Sequence, residues 1–298
     1  MDWRDQLRVK YKTANVVEKL IALNIGVFVL QFVFQTLAFL FQFSGNFFVN
    51  WFSFPTQIES WLYKPWSVIS YAFLHAGFFH LLFNMLVLHF AGRFFLTFFA
   101  PKKLLNYYFL GAISGALLFA LSYNLFPVFS NLGNVPLIGA SAAVMAILIG
   151  VATQAPQMQI RLLLIGNVKL WHIAVVFVVL DVIRIPFGNA GGHIAHLGGA
   201  LLGYAYTKQL NKGNDIGLWF EKIFDAVAGW FSSASSSNKT PFKKVYRNPR
   251  NTYTAKAKQA SKTDKQKKID AILDKISENG YESLSKEEKD FLFKVGKE

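Results

Sequence analysis

Long apolar runs separated by short polar turns dominate the first two thirds of the chain. Residues 1–19 are polar and basic (Arg4, Arg8, Lys10, Lys12, Lys19), and an uncharged apolar run of 24 residues, 20–43, follows. That run exceeds a signal-peptide core and no small-x-small cleavage pattern follows it, so it reads as a retained first membrane span. Five further runs, 78–99, 104–126, 137–153, 170–185 and 191–207, have the same character. The last two are short and interrupted by Asp181, Arg184 and His196. The pattern predicts an all-α polytopic membrane bundle of six transmembrane helices. A small cytoplasmic helical tail completes it. The 44–71 loop carries Trp51, Trp61, Tyr63 and Trp66 and is expected to lie in the membrane interface.

Composition supports the membrane reading. The 298 residues are 53% hydrophobic and 16% charged, more apolar surface than a soluble domain of this length can bury. No cysteine is present, which excludes disulfides and thiolate metal sites. The net charge of +14 is unevenly placed: residues 239–268 hold eleven Lys or Arg and one acid, Asp264. Basic residues also mark the N-terminus and the 93–103 and 161–169 turns, whereas 44–71 holds only Lys64 and the 126–136 and 186–190 turns none. By the positive-inside rule both termini are cytoplasmic. The second, fourth and sixth runs then all begin at the outer face, so residues early in those three share one depth.

Polar side chains collect at that depth. His75, His80 and Asn84 lie early in the second run, and the four-residue spacing of His80 and Asn84 puts them on one helix face. Ser141 lies early in the fourth run, beside a stripe of small residues, Ala142, Ala146 and Gly150. Pro136 and Gly139 suit a helix start, so Ser141 is expected among unpaired N–H groups at a positive dipole end. His196 lies early in the sixth run, beside a second stripe, Gly191, Ala195, Gly199 and Gly203. Two such bare faces let helix backbones approach closely, as a short Ser side chain reaching a His ring requires. Each residue alone fits a packing role; together they supply a nucleophile, a base and two neutral donors. His75, His80, His193 and His196 could be imagined as a metal site, but neither a carboxylate nor a thiol accompanies them, so no metal and no cofactor are expected. Asp181 is the sole acid of the apolar core, and Arg184 three residues on is its expected neutralising partner.

These residues resemble the rhomboid family of intramembrane serine proteases. The likeness rests on His75, His80 and Asn84, on Gly139-Ala-Ser141-Ala, and on Ala195-His196-Leu-Gly-Gly199 with Gly203, in the family's order, and covers roughly residues 20–208. It implies Ser141 as nucleophile and His196 as general base, a dyad without an orienting acid. It also implies His80, Asn84 and the Ser141 N–H as oxyanion donors and His75 as a supporting residue. The implied substrates are membrane-spanning proteins cut near their outer end, and the implied setting is a bacterial inner membrane. The chain departs from the family pattern at Ala142, where a second Gly is usual, at Trp66-Ser67, where Trp-Arg is usual, and after Gly92-Arg93, which lacks a nearby Glu. A non-catalytic relative that binds or escorts membrane proteins is the alternative function, and such a protein would be expected to lack Ser141 or His196. A transporter would show an inverted repeat, and none is visible.

The expected division is a cytoplasmic segment 1–19, a membrane domain 20–208, an interfacial helix and linker 209–238, a basic linker 239–263 and a helical hairpin 264–298. Within the third part, Trp219, Phe220, Ile223, Phe224, Val227 and Trp230 recur at helical spacing opposite Glu221, Lys222 and Asp225, as in a helix lying on the inner membrane surface. The basic run suits anionic lipid headgroups better than nucleic acid, since aromatics for base stacking are sparse. In the hairpin, Ile269, Ile272, Leu273 and Ile276 make one stripe, Gly280 a stop, and Ser285 with Glu288 a capping box. Some 35 residues bury little core, so the hairpin is expected to dock on a partner, the membrane domain or its own copy.

Overall fold

The computed structural model describes residues 2–162, 165–232 and 252–296, which divide into two compact units, 1–234 and 235–298. The first unit begins with an exposed helix α1 (Trp3–Thr13) and then α2 (Val16–Leu40), whose start is secured by a capping box between Asn15 and Glu18. Helix α2 turns one stripe inward, Val17, Leu20, Asn24, Gln31 and Ala38, and leaves the rest of its apolar surface exposed. The loop after it folds into α3 (Phe47–Phe52), β1 (Phe54–Pro55), α4 (Glu59–Tyr63) and α5 (Ser67–Ser70). Its aromatics form their own framework: Trp51 and Trp66 stack at 6.4 Å, and the Trp61 and Trp66 indole N–H groups donate to the Pro55 and Trp51 carbonyls.

Helices α6 (Phe78–Phe98) and α7 (Pro101–Leu125) follow, then β2 (Pro136–Leu137), α8 (Ser141–Gln154), a hairpin of β3 (Gln159–Leu162) and β4 (Gly166–Lys169), and the helices α9 (Leu170–Arg184), α10 (Ala190–Asn211) and α11 (Leu218–Ser232). The two sheets are two-stranded and antiparallel, with β1 paired to β2 in the register Phe54↔Leu137.

Helix α8 is the centre of the unit. Its residues from Ala142 to Ala152 are all buried, enclosed by α6, α7, α9 and α10. Small residues make that enclosure possible. A Cβ added at Gly199 would collide with the Ala142 carbonyl, and one at Gly203 with the Ala146 carbonyl. A Cβ at Gly115 would fall 2.5 Å from the Ala142 Cβ, and one at Gly111 2.5 Å from the Ala146 Cβ. The stripes read from the sequence therefore face each other, and α7 adds a third.

Among the described residues, four helical segments are long and apolar enough to cross a membrane: Val16–Leu40, Phe78–Phe98, Pro101–Leu125 and Leu170–Phe187. The other two expected spans differ for physical reasons. Helix α8 has 14 residues, about 21 Å at 1.5 Å per residue, short of a 30 Å hydrocarbon core. Its apolar run starts at 137, but Pro136 and Leu137 pair as β2 and Gly139 at φ +125° delays the helix to Ser141. Helix α10 has 22 residues but is rich in Gly and His on faces covered by protein, where lipid solubility is not required.

At the far ends of α7 and α10 a polar clasp holds α11. The Lys103 ammonium pairs with both Asp215 and Glu221, Asn106 donates to Glu221 and Tyr206, and the Tyr206 hydroxyl donates to Asp215 at 2.8 Å. Lys102 pairs with Asp225 at 2.9 Å. Glu221 of α11 thus docks inward and Asp225 pairs at the surface, while Trp219, Ile223, Phe224 and Val227 stay about half exposed. Burial alone would raise the Asp215 carboxyl, but Lys103, the Tyr206 hydroxyl and the Gly217 N–H together hold it below the usual carboxylate range.

The second unit consists of α12 (Thr252–Asn279) and α13 (Lys286–Val295), joined through Gly280 at φ +77°, with Ile272 and Leu284 buried between them. Helix α12 begins inside the stretch read as a basic linker; residues 233–251, which take in the end of the expected 209–238 part and the first half of that linker, lie outside the described residues. Ser285 and Glu288 form the expected capping box, and Lys275 pairs with Glu288 at 2.9 Å.

Gly199→Ala should lower stability by about 3 kcal/mol or more, since the added methyl meets backbone and cannot rotate away. Gly26→Ala, where nothing lies within 4 Å, should leave the melting temperature unchanged or slightly higher. Equal melting curves for the two variants in detergent would contradict the packing. For Asp215 the folded-state pKa is lowered, so its stabilisation is present above the ordinary carboxylate range and fades as pH falls through the folded value. The Tm difference between wild type and Asp215→Asn should therefore be large at neutral pH and close below about pH 4. A difference constant across that range would count against the clasp.

Candidate functional site

The site is built on the first turn of α8. Gly139, in a φ > 0 conformation that favours glycine, donates its N–H to the Tyr71 carbonyl at 3.0 Å and turns the chain from β2 into the helix. Ser141 is the first helical residue, and the first bond across the new helix boundary runs from the Val144 N–H to the Ala140 carbonyl at 2.9 Å. The N–H groups of Ser141, Ala142 and Ala143 therefore have no partner one turn back, at the positive end of the helix dipole.

Helix α6 begins alongside. The Ala76 N–H donates to His80 Nδ1 at 3.4 Å, which assigns the ring proton to Nε2, and that nitrogen lies against Gly139. A Cβ at Gly139 would fall 2.8 Å from His80 Nε2 and 3.6 Å from Ser141 Oγ, so the glycine opens a gap between imidazole and hydroxyl. Asn84, one turn on, donates one amide hydrogen to the His80 carbonyl at 2.8 Å and keeps the other. His75 is fully buried and packs its ring edge against His80 at 5.1 Å; neither of its ring nitrogens has a hydrogen-bond partner. It backs the His80 ring without lining the cavity.

Helix α10 brings His196 to the same place. His80, Asn84, Ser141 and His196 together line one cavity of about 830 Å³, walled on its apolar side by Phe119, Phe129 and Leu132. Four of the five sequence-derived site residues thus share a single cavity, with His75 behind. Among the described residues no hydrogen bond joins Ser141 Oγ to His196, an open geometry common in serine hydrolases before substrate binds.

Two expectations are corrected by the surroundings of His196. Asp181, in the last turn of α9, forms no ion pair with Arg184 among the described residues. Its Oδ1 sits 2.8 Å from His196 Nδ1 and 2.8 Å from His193 Nδ1, so a carboxylate does accompany these histidines. An acid thus stands beside His196 where the resemblance implied none. The cause is the tight connection: Gly188 at φ +117° and Asn189 at φ +50° fold α10 directly back along α9, which brings the end of one helix beside the start of the next. Asp181 and His193 were named in the sequence, the one as Arg184's partner and the other as a possible metal ligand, but their contact around His196 was not foreseen. Their signal was an acid in an apolar run close before His-x-x-His, a three-residue spacing that puts both rings on one helix face. The three ligand atoms lie within 4.8 Å of one another, a donor set that a small divalent cation could take once both Nδ1 atoms gave up their protons.

Comparison with known proteins identifies the family. A rhomboid domain model matches residues 63–212, and a model for a family of unknown function (DUF6576) matches residues 258–297. Over 210 residues the chain is 28% identical to "RHOMBOID-like protein 12, mitochondrial" of Arabidopsis thaliana, an alignment that covers 67% of this chain and 59% of that relative's length. The rhomboid match takes in half of the chain and every residue around the cavity, from His75 to His196: the chain belongs to the rhomboid family.

Proposed function

We propose that this integral membrane protein is a serine endopeptidase that cuts transmembrane proteins near the outer membrane face, with Ser141 as nucleophile and His196 as base. The observation that carries the reading is the single cavity into which α6, α8 and α10 each bring a group of the required type. His196 Nε2 takes the Ser141 hydroxyl proton as Oγ attacks the scissile carbonyl. The developing oxyanion then meets the Ser141 N–H, the His80 Nε2–H and the remaining Asn84 amide hydrogen, all fixed in place before reaction. Collapse of the tetrahedral intermediate leaves an acyl-Ser141, and His196 returns the proton to the leaving amine. Water repeats the sequence to release the acid.

A peptide bond inside an intact helix is shielded, so a substrate helix has to unwind locally to enter, and small or helix-weakening residues at the cut favour that. The shortness of α8 supports a nucleophile set below the outer surface, in a protein-lined cavity that admits water. Six crossings with both termini cytoplasmic fit the distribution of Lys and Arg, and a bacterial inner membrane is the proposed setting. Helix α11, with its acids paired and its aromatics exposed, would rest on the inner leaflet, where the following basic run favours anionic headgroups. The 264–298 hairpin, whose Leu273 is half exposed, is proposed to dock on a partner. Ser141 and His196 are both present, which favours the enzyme over a non-catalytic escort.

Purified wild type should cleave a reporter transmembrane substrate, while Ser141→Ala and His196→Ala should not. Equal cleavage by all three would refute the assignment. Asn84→Ala and His80→Ala should each reduce turnover by about 100- to 1000-fold, as loss of one oxyanion donor does, with smaller changes in KM. Rates within a few-fold of wild type would remove those side chains from the oxyanion site.

A further inference from the structure

The carboxylate of Asp181 has the surroundings of a group that serves a neighbour. It is 6% exposed in the last turn of an apolar helix, where an unpaired carboxylate is costly, and neither Lys nor Arg pairs with it among the described residues. Its hydrogen-bond partners are two imidazole nitrogens from the next helix, both on Oδ1, while Oδ2 is buried without a partner. One oxygen that accepts from His193 Nδ1 and His196 Nδ1 requires a proton on each of those atoms. The neutral His196 ring then has its lone pair on Nε2, the atom that must accept the Ser141 proton.

We infer that Asp181 is a positioning residue that holds His196 in the Nδ1–H tautomer and fixes its ring plane, adding a third member to the expected pair of Ser141 and His196. The inference rests on the protease reading for its catalytic meaning, but the tautomer claim stands on the geometry alone. His193, one turn earlier on the same face, braces the carboxylate through the same oxygen, and the sharp α9–α10 connection through Gly188 and Asn189 sets the spacing. The carboxylate keeps its charge throughout; it stabilises the imidazolium formed when His196 takes the Ser141 proton, and no proton passes to it. Removal of the charge leaves the ring free to carry its proton on Nε2, where it blocks the base.

The test uses the full chain in detergent with four substitutions and two readouts. Asp181→Asn should lower kcat by about 100-fold or more with KM within about twofold of wild type, and Asp181→Glu should recover part of the loss. On the His196→Ala background, Asp181→Asn should cost nothing further, because the ring it acts through is gone. In ¹⁵N-histidine NMR spectra, the His196 signals should show a protonated Nδ1 and a bare Nε2 in wild type and in Ser141→Ala, and should lose that pattern in Asp181→Asn. Asp181→Asn with wild-type kcat, an additive loss on the His196→Ala background, or a His196 tautomer indifferent to position 181 would each overturn the inference. A tautomer that follows Asp181 in a wild-type protein without cleavage would sink the protease reading and leave the positioning role standing.

Discussion

Everything in the membrane unit depends on how closely the backbones of α7, α8 and α10 approach. In lipid no hydrophobic force drives helices together, so association relies on dispersion contact between backbones that small residues allow to touch. Here Gly199 and Gly203 meet the carbonyls of Ala142 and Ala146, and Gly111 and Gly115 meet the methyl groups of the same two alanines from the other side. The contacts begin one residue after Ser141, so the depth and rotation of that side chain are set by packing rather than by a flexible loop. His196, three residues before Gly199, is placed by the same constraint. The arrangement of the candidate site is thus a by-product of a packing solution.

A good deal of this was legible in the residues. Stripes at four-residue spacing identified the faces of α8 and α10 that meet, because a helix repeats its surface every third to fourth residue. The depth argument, from apolar runs and the placement of Lys and Arg, put His80, Asn84, Ser141 and His196 at a common level, and one cavity holds all four. What the pattern could not reveal was where helix begins inside an apolar run. Hydropathy does not distinguish the β2 residues Pro136 and Leu137 from the helix that follows, and the break depends on the backbone at Gly139. The partner of Asp181 escaped for a related reason. Arg184 is near in sequence and the histidines are near in space, and only the tight α9–α10 turn decides between them.

The two ends of the same helices solve opposite electrostatic problems. At the cavity, groups are neutral or shared among acceptors: unpaired N–H groups, a histidine with one nitrogen occupied, an amide half used. At the clasp, full charges are paired, Lys103 with Asp215 and Glu221, and further secured by Asn106 and the Tyr206 hydroxyl. A site that must accept a developing negative charge benefits from donors with spare capacity, whereas an anchor benefits from saturation. That contrast, along a single bundle, separates the cavity from the region that holds α11 in place.

The most direct test of the central claim is covalent. Purified full-length protein is incubated with a fluorophosphonate, digested and read by peptide mass spectrometry. The account predicts a single dominant adduct on Ser141 that is lost when His196 is replaced by Ala, because only a serine beside a base and within reach of oxyanion donors reacts with such a reagent. Labelling spread over other serines, or a Ser141 adduct indifferent to His196, would contradict it.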